Sequence, residues 1–531
     1  MERFAALVDS LVYTRSRNGK LALIADYLRS TPDPDRGWAL AALTDGLDFP
    51  AVKSSTIRNL MQERVDPVLW ALSRDFVGDT AETASLLWPE PEGLSEPPPS
   101  LSEAVTLLSQ MTRVSVMSEL PKLLDRLSPD GRFALFKLAT GAMRIGISAR
   151  LGKLAFAQAF DVPVDEVEEY WHGLTPPYPS LFAWAAEGAD PPDTASLPVF
   201  RPFMLAHPLE AEELDLADYV AEWKWDGIRV QIAHAGGETR VYSRSGDDIS
   251  GTFPEITEAL AFPAVLDGEL LVRGSHQGGE EGGAASFNAL QQRLGRKTVS
   301  AKMLGEYPAF VRLYDLLIAE GEDLRPLPWT ERRRALERMM DSLPADRFDL
   351  SQLVEADDFA ALATLRENAR DDAIEGLMLK RRDSPYVAGR RTGLWYKWKR
   401  DPLLIDAVLM YAQRGSGKRS SFYSDYTFGC WNGDPDQGAE LLPVGKAYFG
   451  FSDEELKWLD RYVRNHTVAS YGPVRETDKS LVFEVAFDSI HASKRHKSGL
   501  AMRFPRISRI RQDKPAHEAD HIEALRSLIR D

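Results

Sequence analysis

The segment AEWKWDGIRVQ at 221–231 brings a carboxylate, an amine and a guanidinium close together along the chain. If 221–225 is extended, alternate side chains share a face, so Glu222 and Lys224 point one way and Trp223 and Trp225 the other. The tryptophans can anchor the strand on a core while the carboxylate and amine face a cleft. Asp226 and Gly227 turn the chain into a second strand, where Arg229 lies on the side opposite Ile228 and Val230. A lysine held this way is a nucleophile once it loses its proton, and desolvation or nearby cations favour the neutral amine. A Lys–Glu surface pair at the start of a hairpin has the same spelling, so the motif alone leaves both readings open.

Further groups suited to chemistry follow downstream. In GRRTGLWYKWKRDP at 389–402, Lys397 and Lys399 share one strand face, with Tyr396 and Trp398 on the reverse. That suits a phosphate site, and it equally suits an amphipathic, solvated strand. LDGEL at 266–270 offers Glu269, and EGLMLK at 375–380 offers Glu375 and Lys380. Each of these is as readily a plain strand with a charged end. Tyr314, in LYDLL at 313–317, suits ring stacking, a cation–π contact or core packing. Basic residues crowd late in the chain, at 380–400, in KRHK at 494–497 and in RFPRISRIRQDK at 503–514.

The elements that must position these groups change character along the chain. Residues 1–190 read mainly as helices: Phe4, Leu7, Val8 and Leu11 recur at helical spacing, and long helices are expected over 103–124 and 133–160. PEPEGLSEPPPS at 89–100 interrupts them as an exposed connection, and GLTPPYPS at 173–180 begins a second break. Beyond about residue 200 the pattern becomes short alternating strands, among them IRVQIAH, TRVYSR, VLDGELLV, FVRLYDLLI and AIEGLMLK, with helices at 329–343 and 357–370. GSHQGGEEGG at 274–283 reads as a mobile surface loop. From Asp401 on, LLIDAVLMY, SFYSDYTFGCW, KAYFGF and SLVFEVAFDSI suit a small barrel with a helical insert near 452–464. The expected domains are an all-α one over 1–195, an α+β one over 196–401 and a β-barrel over 402–531.

Bulk properties set bounds. At 531 residues the chain exceeds one ordinary core, and about two to four domains are expected. The net charge of −16 argues against a protein that simply coats DNA, although phosphate contacts depend on local rather than net potential. The sole cysteine, Cys430, excludes an internal disulfide and a thiolate zinc site, and it reads as a packing residue. No apolar run approaches the ~20 residues that span a bilayer, and MERFAALVDSL does not read as a secretory signal. A cytoplasmic monomer without membrane contact is expected, associated with the nucleoid if the source is bacterial.

Taken in order, these segments resemble the ATP-dependent DNA ligases of the covalent nucleotidyltransferase superfamily, over about 201–515. KWDG with its following arginine is similar to their lysine signature, and SRSGDD at 243–248, LDGEL, LYDLL, EGLMLK, WYKWK and RFPRISRIRQDKP keep the family's order. The resemblance implies that Lys224 becomes covalently adenylated by ATP. It implies nucleotide contacts from Glu222, Arg229, Arg244, Glu269, Arg391, Lys397 and Lys399, with Asp226 and Lys380 near the nucleotide or DNA. Tyr314 would stack on adenine, where many relatives have phenylalanine. Glu375, and Glu269 with it, would bind magnesium, for which manganese is a possible substitute. Arg511 and Lys514 would contact phosphates. LFKLATGAMRIGISARLG at 135–152 resembles part of the helical DNA-binding domain of larger members, with Arg144 reaching a phosphate or, on the blander reading, simply exposed beside a helix turn. The C-terminal barrel would be an OB-fold, and the partner nicked duplex DNA, with unidentified repair proteins as further possibilities.

Other readings remain in view. An RNA ligase shares the covalent chemistry, and a noncatalytic DNA-bridging protein could retain the nucleotide fold. A capping guanylyltransferase would have no use for the N-terminal helices, and an NAD-dependent ligase usually carries a four-cysteine zinc unit that a single cysteine cannot build.

Overall fold

The computed structural model describes the chain apart from residues 92–95, 142, 195, 211–213, 274–289, 291–292, 295, 297–298, 370–373, 416–422, 449, 495 and 530–531. The expected loop at 274–283 lies outside the described residues. Two compact units emerge: Met1–Ala159 with Asp401–Asp531, and Phe160–Arg400.

The N-terminal part is helical. Glu2–Tyr13 buries Phe4, Leu7, Val8 and Leu11 on one stripe, as their spacing predicts. The two long helices expected over 103–124 and 133–160 are each broken. Leu101–Gln110 and Val116–Leu124 are separated by a turn in which Thr112 N–H donates to Ser115 Oγ and Ser115 N–H to Thr112 Oγ1. Such local side-chain bonds compete with helix continuation. The second break lies between α2 (Pro129–Ala139) and α3 (Ala149–Phe160), where Gly141, Arg144 and Gly146 take φ values of +69°, +45° and +71°. A right-handed helix cannot pass through left-handed backbone. Ahead of them, α1 (Arg17–Ser30) is capped by Ser16. Helices α4 (Val164–Trp171) and Pro179–Glu187 follow these in sequence but fall inside the Phe160–Arg400 unit.

Among the described residues that unit contains a two-stranded sheet, Met204–Leu205 with Gly389–Arg390, and two larger ones. In one, β1 (Tyr219–Trp225) pairs antiparallel with β6 (Ile374–Arg381), which pairs with β7 (Trp395–Lys399); Leu353–Val354 and His207–Pro208 form the edges. In the other, the order is β3 (Glu238–Ser243), β2 (Ile228–Ala235), β4 (Ala264–Val272) and β5 (Ala309–Ala319). Both sheets contribute to one core: Val220 and Trp395 from the first pack with Ala233, Tyr242, Val265 and Leu317 from the second. Behind the first sheet, Ala221, Leu377, Leu379 and Tyr396 form a separate cluster with Trp223 and Trp398. The period of two therefore sends Glu222, Lys224, Lys380, Lys397 and Lys399 to the opposite, cleft-side face.

In the C-terminal part the long strand β8 (Leu403–Arg414) pairs with β9 (Tyr423–Trp431), β12 (Val474–Thr477) and β13 (Val482–Phe487). Strand β10 (Leu441–Ala447) extends one side, and β14 (Arg506–Arg511) the other; β11 (Thr467–Tyr471) pairs with β12. Ile405, Leu409, Phe428, Phe483 and Val485 fill the core, with Leu459 supplied by the helix Asp453–Asn465. Among the described residues no ladder joins β14 to β10, so the closed barrel expected from sequence is not formed by hydrogen bonding. The chain just past β10 instead meets β14 by packing: Gly450 lies so close to Ile507 that a Cβ would fall 2.0 Å from the carbonyl oxygen.

Candidate active site

Lys224 lies near the end of β1, opposite Gly376 on β6, and Gly376 is in turn opposite Lys399 on β7. The β1–β6 register shifts between Ile374 and Gly376, which makes Glu375 the extra residue of a bulge. A bulge re-aims a side chain. Here the Glu375 carboxylate accepts hydrogen bonds from the ammonium groups of Lys224 and, at 3.1 Å, Lys399. Gly376 has φ +147°, and a Cβ there would stand 2.3 Å from the Trp398 carbonyl oxygen, so the bulge requires glycine. Burial works against the Glu375 charge, yet Lys224 and Lys399 together hold its pKa below the ordinary glutamate value.

One row along, Lys397 faces Met378, which faces Glu222. Burial, and then the positive charges of Arg390, Lys399, Lys224 and Arg244, depress the Lys397 pKa. Glu375 pairs with Lys224 and Lys399 but does not figure among the main influences on Lys397. A half-buried ammonium in the field of four other cations has the charge to suit a multiply charged anion.

Deeper in the cleft, Glu222 and Lys380 form a buried pair at 3.1 Å, both side chains 2% exposed. The Lys380 ammonium also lies 4.5 Å from the centre of the Tyr314 ring. Burial lowers the Lys380 pKa, and Glu222 opposes that shift. Arg229 donates to both Asp267 oxygens at 3.1 and 2.7 Å and to Met204 O at 2.7 Å, and lies over the Phe203 ring at 4.2 Å. Tyr386 Oη donates to Asp267 at 2.6 Å and accepts from Arg229 at 3.2 Å. Glu269 is directly opposite Arg229 on β4. Burial pushes its pKa up to about 7; Lys224 and Arg229 oppose the shift, while Glu375 and Asp267 add to it. Asp226 is buried in the turn after Lys224. Gly227 follows it with no room for a Cβ, which would lie 2.4 Å from Leu270 O, and this explains the glycine of the KWDG motif.

Of the residues expected from sequence, Glu222, Lys224, Arg229, Glu269, Tyr314, Glu375, Lys380, Lys397 and Lys399 thus meet in one unit. Arg244 is exposed in the SRSGDD turn and contributes to the field on Lys397. Arg391 is not part of this gathering; its guanidinium pairs with Asp165 at 3.5 Å. Its neighbour Arg390, which sequence reasoning passed over, supplies the charge near Lys397. Asp267 and Tyr386 were also missed, although alternation along β4 places Asp267 on the same face as Glu269. Arg511 and Lys514 belong to the other unit, where both pair with Asp406, at 3.2 and 2.8 Å, and Arg511 also pairs with Asp513. Arg144, exposed and with no partner among the described residues, also lies there.

Comparison with known proteins shows the family. The family model of the ATP dependent DNA ligase domain matches residues 203–399, and that of the ATP dependent DNA ligase C terminal region matches 419–514. A probable DNA ligase of Koribacter versatilis is 31% identical across 100% of this chain and 96% of its own length. Another from an Anaeromyxobacter species is 37% identical across 77% of this chain and 78% of its own. A solved structure described as "Pmar-Lig_PreS3" shares the fold, with a TM-score of 0.56 and 15% identity over 96% of this chain and 99% of that one. The chain belongs to the ATP-dependent DNA ligases, the enzymes that use ATP to seal nicks in DNA.

Proposed function

We propose that Lys224 is the nucleophile of this ligase and that the cations around Lys397 bind the phosphates of ATP. The observation that carries the reading is the convergence of Lys224, Lys399 and Glu375 beside the cluster of cations that depresses the Lys397 pKa. The neutral Lys224 amine attacks the α-phosphorus, a P–N bond forms, and the bond to the pyrophosphate oxygen breaks. Lys397, Lys399, Arg390 and Arg244 offset charge on the phosphates as it shifts toward the leaving group. Adenine lies against Tyr314, with Glu222 and Lys380 fixed beside it. Arg229, held by Asp267 and Tyr386, and Glu269 face the ribose side. The 5′-phosphate of a nick then attacks the lysyl-AMP to give an adenylated end, and the adjacent 3′-hydroxyl displaces AMP.

The donor set fits a magnesium ion. Burial holds Glu269 partly protonated near neutral pH, the negative charge of Glu375 adds to that shift, and a hard divalent cation beside the two carboxylates would offset both. When bound, magnesium would supply positive charge beside the reacting phosphate, held by these two carboxylates. Arg511 and Lys514 contribute to the adenylation step by exchanging Asp406 for phosphate, on a C-terminal domain of the OB type. The N-terminal helices, through Arg144 among others, grip the DNA backbone without reading bases. Adenylation tested with ATP against GTP, followed by joining of nicked DNA against nicked RNA, checks the whole reading. Exclusive joining of RNA, or labelling by GTP alone, would overturn it.

A further inference from the structure

Lys20 lies on α1, far in sequence from Arg144, yet it is buried, with 6% of its surface exposed. Burying an ammonium is costly unless it is hydrogen-bonded. Its Nζ donates to the carbonyl oxygens of Gly146 at 2.8 Å and Ile145 at 3.3 Å, the two residues that follow Arg144. Met143 and Ile145, on either side of Arg144, are 8% and 2% exposed, whereas Arg144 itself is exposed at φ +45°. Left-handed backbone is unfavourable for an arginine and persists only where the surroundings enforce it. Two buried neighbours and a lysine clamp on the carbonyls provide that enforcement. The arginine is thereby exposed, with its guanidinium unpaired among the described residues.

We infer that Lys20 is a positioning residue for DNA binding: by clamping the 145–146 carbonyls it holds Arg144 in the strained conformation that meets a backbone phosphate. The inference rests on the reading of Arg144 as a phosphate contact. Lys20 touches no DNA itself; its contribution is preorganisation, since a loop fixed before binding has less conformational entropy to lose on the complex. The Ile145 carbonyl also gains from the clamp, because a buried C=O without a donor is costly.

A double-mutant cycle on the full-length protein tests this, using a nicked duplex that lacks the 3′-hydroxyl and so cannot be sealed. Lys20→Met keeps the aliphatic stem and removes the donor. It should weaken nick affinity about 3- to 10-fold, the range for losing one well-placed phosphate contact, and leave ATP-dependent adenylation unchanged. In an Arg144→Ala background the same change should have no further effect on affinity, although both K20M proteins should lose equal thermal stability. Lys20→Arg, which can still donate, should restore most of the affinity. If K20M does not fold, Lys20→Gln, whose amide can still reach one carbonyl, carries the same cycle with a smaller expected loss. Additive losses from K20M and R144A, or full affinity in K20M when R144A is impaired, would overturn the inference. Normal affinity in R144A would instead remove the reading on which it rests.

Discussion

Lys224 and Lys399 stand on opposite sides of the same residue, Gly376, and share one carboxylate, Glu375. The bulge at Glu375 converts a flat ladder into a small electrostatic device: two cations held near each other by an anion between them. Glu375→Gln keeps the shape and removes the anion. Adenylation should slow about 10²- to 10³-fold, the usual range for a lost charge at a reacting centre, and the magnesium concentration for half-maximal rate should rise. Single-turnover labelling across a magnesium series checks both. An unchanged rate and an unchanged metal requirement would remove Glu375 from the reaction.

Glu269 gives the site a pH dependence of definite sign. Its pKa in the folded protein is about 7, above the ordinary 4.5, so the folded state binds this proton more tightly than the unfolded chain does. Stability is therefore undiminished below the unfolded value, declines as pH rises, and is lowest once pH passes about 7. Glu269→Gln should raise the melting temperature at pH 8 and leave it little changed at pH 4. Adenylation by the wild-type enzyme should fall as pH drops through 7, and the variant should lose that inflection. A variant equally stable at both pH values, with the inflection intact, would assign the ionisation elsewhere.

A shortened chain should show where the catalytic unit begins. Glu169 on α4 pairs with Arg325 at 2.9 Å and Arg201 at 3.1 Å, and His172 packs against Gly246 of the SRSGDD turn. A chain starting at residue 160 keeps these contacts, and one starting at 196 takes Glu169 from Arg201 and leaves Arg325 with Asp323. The first should take up AMP at close to the full-length rate and bind nicked DNA more weakly, with a shallower salt dependence. The second should melt lower and adenylate more slowly. Equal melting and equal rates in the two would show that α4 does not brace the site.

Lys514 and Arg511 share Asp406, so neither is an idle surface cation. If Lys514 exchanges Asp406 for the leaving phosphates, Lys514→Ala should slow adenylation at least about tenfold more than sealing of a pre-adenylated nick. Measuring the two steps separately decides the matter. Normal adenylation with impaired sealing would make Lys514 a DNA contact instead.

Much of this was legible because strands alternate. The period of two put Glu222 with Lys224 on one face of one strand and Lys397 with Lys399 on one face of another, and the described strands keep both assignments and bring the two faces together. The Glu375 bulge was not legible, since a register shift depends on which strands pair. Arg390 was passed over for Arg391 because nothing local separates adjacent arginines; the pairing of Gly389 and Arg390 with Met204 and Leu205 does so. The helix break at Gly141–Gly146 carried its signal in two glycines, but the Lys20 clamp links positions more than a hundred residues apart, which no local pattern records.

The central claim is that Lys224 forms the covalent bond to AMP, and Lys224→Ala tests it most directly. Radiolabelled ATP and magnesium are supplied to the variant, and the same protein is given nicked duplex already carrying a 5′-adenylate. The account predicts no protein–AMP adduct and no sealing from ATP, with sealing of the pre-adenylated nick retained because the first covalent step is bypassed. Normal ATP-dependent labelling of K224A at another residue would contradict it.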